Sequence, residues 1–247
     1  MLLSVLWYIG WLLILAGALC VIRPMRWLRL PTRRRAIVVA LIGAGSSAVT
    51  LFIGTATHTV GAPDRLLDRV SPAFQFNERH AIVVSAPAER VYKAMLDVRP
   101  DEIAGFRTLA WIRCLGRCEG ESILNPPVDT PVLTTALRTS FRKLAETPNE
   151  ELVFGTLVAA PPEAAARTWT LGAFVNLTDP GYAKAVMNFR LRPEGDSSTR
   201  LETETRVFAT DPGTVRVFAA YWRTILPGSS LLRVAWLRAI KRRAENP

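Results

Sequence analysis

Along this chain the apolar positions change rhythm more than once. No charged residue interrupts residues 2–22, and none interrupts 36–57. A helix needs about 20 apolar residues to cross the hydrocarbon core of a bilayer. Both runs qualify and predict two spanning helices, over about 2–22 and 36–57, joined as a hairpin through 23–35. From Phe74 the period becomes two. Phe74, Phe76, Glu78, His80, Ile82 and Val84 then share one face of a half-buried strand. Residues 87–98 return to helical spacing, with Pro87 in the permitted first turn and Val91, Met95 and Val98 along one side. A second short helix is expected over 99–106 and a strand over 107–115. Residues 118–131 carry too much Pro and Gly for regular structure. Leu133, Leu137, Phe141 and Leu144 again recur at helical spacing.

Four strands should follow in a row, at 151–160, 168–177, 182–192 and 199–210. Turn residues separate the later ones, Asp-Pro-Gly at 179–181 and Glu-Gly-Asp at 194–196. This describes an antiparallel meander with one face buried and one wet. The last element is a helix capped by Asp211, with Pro212 in its first turn and Phe218, Tyr221, Trp222 and Ile225 on one face. Pro227 and Gly228 should kink or break it, because proline lacks the N–H and clashes with the preceding turn. A second segment, 229–243, continues with Leu232, Trp236 and Ile240 inward. Its basic end suits a helix C-terminus, and contact with a membrane or partner is the other reading.

The expected organisation is a membrane hairpin at 1–57, a linker at 58–73, and one folded domain at 74–247, ample for a single core. The N-terminal run lacks the basic start and small-residue cleavage site of a signal peptide. The second run contains Gly43, Gly45 and Ala48 at the spacing of a dinucleotide-binding turn, but that motif needs a strand–helix–strand context that is missing. Small residues in an apolar helix serve close packing instead, and Gly10 and Gly17 could receive the face of Gly43 and Ser47.

Charge then orients the hairpin. Of the net +10, six positive charges are the arginines of 23–35, which has no acidic residue. Short arginine-rich loops stay cytoplasmic, and the same charges suit anionic headgroups. The domain after residue 57 should therefore lie outside the cytoplasm. That domain holds 25 basic and 21 acidic residues and no nucleic-acid-binding module, so nucleic acid is not an expected partner.

Several motifs carry a family resemblance. Phe76 and His80 lead into Ala86, Pro87, Val91 and Tyr92. The strand from Glu202 to Val207 and the helix with Tyr221, Trp222, Ile225, Pro227 and Ser229 complete the set. In this order they resemble the START-like helix-grip superfamily (SRPBCC), over about 74–244, in a bacterial branch without an assigned reaction. The resemblance implies an α+β fold, an antiparallel β-sheet wrapped around a long C-terminal helix with a cavity between them. It also implies a hydrophobic or amphiphilic ligand, lipid or polyketide-like; some members cyclise or hydrolyse theirs. Fold alone does not settle which.

Aromatic residues fall where such a cavity would want them: Trp111, Phe154, Trp169, Phe218, Tyr221 and Trp222, which plain core packing would equally use. Arg206 would suit a carboxylate or phosphate headgroup if a bulge turned it inward; otherwise it joins a surface ladder with Glu204, Arg190 and Arg192. Glu78 and His80 form the one candidate catalytic pair, able to move a proton or orient a headgroup, or simply to bond to each other. Cys114 and Cys118 bracket a turn that a disulfide could close outside the cytoplasm. Two histidines and three cysteines build no standard zinc site here, and no cofactor motif is present. Expected partners are membrane lipids, a hydrophobic small molecule, and a membrane protein or second copy through the hairpin. A domain with a fully packed interior would instead be an interaction module.

Overall fold

The computed structural model describes residues 2–25, 28, 30–53, 55–162, 164, 169–195 and 197–246. Arg26 and Arg29 of the basic loop, and Thr168, lie outside them. The chain divides into two compact units, 1–55 with 219–223, and 56–218 with 224–247.

In the first unit, α1 (Leu2–Ile22) and α2 (Arg33–Phe52) are both long and apolar enough to cross a membrane. Helix α2 begins three residues before its expected start because the Thr32 hydroxyl accepts from the Arg35 amide and caps the turn. The helices run antiparallel and touch through small residues. A Cβ on Gly10 would lie 2.8 Å from the Gly43 carbonyl, and one on Gly17 would lie 2.6 Å from the Ala36 carbonyl.

The second unit is α+β. Its elements are β1 (His58–Thr59), α3 (Leu66–Val70), β2 (Ala73–Phe74), β3 (Phe76–Val84), α4 (Ala88–Asp97), α5 (Phe106–Arg113), α6 (Val132–Thr139), β4 (Arg142–Thr147), β5 (Glu151–Ala159), α7 (Leu171–Val175), β6 (Ala183–Pro193), β7 (Thr199–Ala209) and α8 (Pro212–Glu245). Strands β3 to β7 make one antiparallel sheet in the order β3-β7-β6-β5-β4. On its inner face Leu152, Phe154, Phe189 and Leu201 pack with Val91 and Met95 of α4 and with Trp236 and Ile240 of α8. The Phe189 and Trp236 rings meet edge to face at 5.3 Å.

Four local expectations are corrected. Residues 107–115 form no strand: α5 covers most of them, because Phe106 and Ala110, one helical turn apart, are the buried positions. The described part of the expected strand 168–177, residues 169–177, forms no strand either. Thr170 caps α7 by accepting from the Ala173 amide at 3.1 Å. Phe141 and Leu144 fall beyond α6; Leu144 belongs to β4, which turns back into β5 through Asn149 at φ +64°. Helix α8 is not broken at Pro227, although proline costs about 3 kcal/mol inside a helix. Contacts on both sides hold it to the same strand: Phe218 packs on Phe76 at 5.1 Å, and Ser229 and Ser230 bond to Glu78.

The outer face of the sheet is covered over its middle strands, whereas Asn77, Arg79, Ala81 and Val83 on the edge strand β3 stay exposed. Residues 58–70, expected as a linker, fold across that face, with Leu67 and Asp68 buried and β1 paired to β2. Beneath and around them Asn188, Glu202, Glu204 and Arg206 are all buried.

Candidate functional site

Alternation places Glu78 and His80 on the inner face of β3, as the period-two pattern requires. His80 Nε2 is 2.7 Å from Glu78 Oε1. The same carboxylate accepts the Ser230 hydroxyl at 2.6 Å and the Ser229 hydroxyl at 3.1 Å. One helical turn further along α8, Arg233 donates to Thr203 Oγ1 at 3.0 Å and to Thr205 Oγ1 at 2.6 Å on β7. Burial depresses the Arg233 guanidinium to about 10, against the pull of Glu78, and the nearby Arg113 charge adds to the depression. The middle of α8 is therefore joined to the sheet by a polar patch with one carboxylate, one imidazole and one strongly desolvated cation. His80 is half-buried, and its Nδ1 takes part in no hydrogen bond among the described residues.

The outer face holds a second polar network. Arg206 reaches Asp68 at 2.7 Å, Glu204 at 2.7 Å and the Ser71 carbonyl at 2.9 Å, and lies over the Phe74 ring. Arg65 joins it through Glu204 at 2.8 Å and Asp68 at 3.1 Å. Glu151 accepts from the Leu66 and Leu67 amides and from Asn188. Arg206 thus neither turns inward through a bulge nor sits on a surface ladder. Pairing of β7 with both neighbours is regular from Thr199 to Val207, and the guanidinium is engaged by protein on the outer face.

Beside this network, between the α6–β4 corner and α7, opens a cleft of about 660 Å³. Its wall includes Phe141, Leu157, Trp169, Leu171 and Phe174, and its rim includes Arg138, Arg142 and Lys143. Lys143 is paired with Glu146 and Arg138 with Glu121; Arg142 is exposed with no acidic partner among the described residues. Gly155 lies at the base, where a Cβ would be 2.7 Å from Leu144 and 3.1 Å from Phe174. Among the described residues no three His, Cys, Asp or Glu side chains gather to hold a metal ion.

The chain is similar in structure to the di-domain aromatase/cyclase BexL from the BE-7585A biosynthetic pathway, at 17% identity over 70% of this chain and 48% of that one, with a TM-score of 0.32. It thus spans about half the length of BexL. The Zhui aromatase/cyclase from Streptomyces sp. R1128 matches at 15% identity over 69% of this chain and 93% of its own, with a TM-score of 0.27. A protein from Thermus thermophilus matches at 13% identity over 68% and 97%, also at 0.27. No family model and no curated protein matches the sequence.

The candidate ligand residues are not gathered around one cavity. Phe154 is core, stacked on Phe189 at 6.2 Å. Trp169 lines the cleft and meets Tyr182 at 5.7 Å. Phe218 packs on Phe76. Trp111 is 61% exposed on α5, pointing away from the core that Phe106 and Ala110 enter. Tyr221 and Trp222 lie in 219–223, the stretch of α8 that clusters with the first unit, and Tyr221 is exposed. Cys114 and Cys118 are joined in a disulfide, and Cys20 is free and buried. Sequence reasoning missed Ser230 and Arg233, and read Ser229 only as part of the family motif. Their signal was present: three polar residues within one turn of a helix that otherwise turns apolar residues inward.

Proposed function

We propose that this chain is a membrane-anchored protein whose second unit binds a hydrophobic or amphiphilic small molecule, lipid or polyketide-like. The observation that carries the reading is the cleft between α6–β4 and α7, an aromatic and aliphatic wall under a cationic rim. Ligand sites are mostly apolar concavities of about 300–1,000 Å³ with a few placed polar groups. An acyl or polycyclic body would lie against Trp169 and Phe174, with its acidic end at Arg142. The packing of Phe154, Phe189 and Trp236 favours this cleft over the space between sheet and C-terminal helix. Two helices of spanning length support the anchor. The arginine loop and the Cys114–Cys118 disulfide support an extracytoplasmic domain.

Native mass spectrometry of the detergent-solubilised full chain, followed by solvent extraction, tests this. The expected result is a stoichiometric adduct that leaves on denaturation and is lost in Leu157→Arg. A chain that retains no adduct and binds nothing from a broad lipid panel would exclude the reading.

The second reading is acid–base catalysis at His80, favoured by the 2.7 Å contact that orients its ring on Glu78. Under it, His80→Gln abolishes turnover and leaves binding intact.

A further inference from the structure

Helix α5 ends in a short loop whose construction serves none of the sites above. Cys114 and Cys118 close it with a disulfide. Inside the staple, Leu115 has φ +53° and Gly116 φ +78°. A leucine in the left-handed region is disfavoured, because its Cβ crowds the following carbonyl. Three backbone bonds hold the turn: Leu115 N–H to Ile112 O at 3.0 Å, Gly116 N–H to Trp111 O at 2.9 Å, and Arg117 N–H to Cys114 O at 2.9 Å. The strained leucine is not there for internal packing, since it is 88% exposed. Beside it Ile112 is 55% and Trp111 61% exposed, and Trp111 covers Gly116. Residues 106–118 carry three arginines and no acid, and Arg107 and Arg117 are exposed next to the apolar tip.

We infer that this stapled loop is a membrane foot. Trp111, Ile112 and Leu115 enter the headgroup–acyl boundary of an anionic bilayer, and Arg107 and Arg117 rest on lipid phosphates. Three features select a bilayer as the occupant. Tryptophan with aliphatic neighbours is the composition of an interfacial anchor. The charge over 106–118 is wholly basic, and a guanidinium pairs with the phosphate oxygens that every phospholipid headgroup carries. The same chain carries two helices long and apolar enough to cross a bilayer, so a lipid surface is a partner that the membrane-anchored reading already requires. A protein groove would ask for a shaped apolar face; this is a narrow tip that offers little area to a flat partner. The inference rests on the membrane-anchored reading and places a second, reversible contact on the folded domain. A domain held at the interface would draw amphiphiles directly from the lipid.

The test uses the full chain in nanodiscs of phosphatidylcholine, with and without phosphatidylglycerol, the lipids brominated near the headgroup end of the acyl chain. Subtracting the emission of Trp111→Phe isolates Trp111. In anionic discs that component should be quenched by at least ~2-fold relative to unbrominated lipid, and less in neutral discs. The double variant Ile112→Asp/Leu115→Asp should lose the quenching while hydrogen exchange in the sheet stays as in wild type. Unquenched Trp111 in anionic discs, or equal quenching in the double variant, overturns the proposal. So does protection of the tip that depends on two copies per disc, which would make the occupant a second chain. Alkaline carbonate washing separates the two readings: a chain released by it is not anchored at all, whereas one retained but unquenched loses only the foot.

Discussion

Arg206 and Asp68 meet at 2.7 Å with both side chains almost fully buried, and their contact fastens the segment after the second apolar helix to the outer face of the sheet. Removing one partner of a buried ion pair leaves an uncompensated charge. Arg206→Met should therefore destabilise the second unit by about 3–5 kcal/mol, read by denaturant unfolding of the full chain in detergent. Arg206→Lys should recover only part of this, because an ammonium cannot reach Asp68, Glu204 and the Ser71 carbonyl together.

The same cluster sets an acid limit. Burial raises the Asp68 carboxyl, but hydrogen bonds from Arg206 and the Asp64 backbone, with the Arg65 charge, outweigh it and hold the group below its ordinary value. A depressed folded pKa contributes stability above the unfolded value of about 3.9 that is lost as pH falls through the folded one. Asp211 acts in the same direction. Hydrogen bonds from Thr214 and the Gly181 amide lower it to about 2 at the cap of α8. The unfolding midpoint should stay level from pH 7 to about 4 and decline from there toward about 2. Asp211→Ala should cost about 1 kcal/mol at neutral pH and make the acid decline shallower.

Gly155→Ala tests the cleft without touching its charges. The added methyl would sit 2.7 Å from Leu144, 3.0 Å from the Ala185 carbonyl and 3.1 Å from Phe174. Overpacking of this kind costs about 1–3 kcal/mol. The expected outcome is a lower melting temperature together with faster ligand loss in native mass spectrometry, since Phe174 lines the wall.

Glu78 should prove coupled to His80. The carboxylate holds the imidazole and both serines, so Glu78→Gln and His80→Gln share a partner. Their effects on stability should be non-additive by about 0.5–3 kcal/mol in a double-mutant cycle. Additivity would mean that the imidazole is held by something other than the carboxylate.

Much of the α+β architecture could be read from one-dimensional rhythm. The alternation from Phe76 to Val84 grouped the residues that share the inner face, because a pleated strand has a rigid period of two, while Phe74, read with them, falls in β2 beneath Arg206. Residues 107–115 and 169–177 were misread because short apolar stretches fit helix and strand alike; a buried i, i+4 pair in one and a threonine cap in the other decided them. At the candidate sites, Glu78 and His80 were visible together because they are two residues apart on one strand. That Ser229 and Ser230 join them was not, since about 150 residues separate those serines from Glu78.

The sequence by itself determined what depends on local order: two uncharged runs of spanning length, a basic loop between them, a strand that turns a carboxylate and an imidazole the same way, and a capped C-terminal helix. Tertiary structure alone decided which charges are spent and which surfaces are open. Arg206 could have served a ligand until the fold of 58–70 over the outer face brought Asp68 to it. Trp111 could have lined a cavity until α5 turned it outward beside a stapled leucine. Both outcomes turn on contacts between segments distant in sequence or on which face of a short element meets the core, and a linear pattern does not encode either.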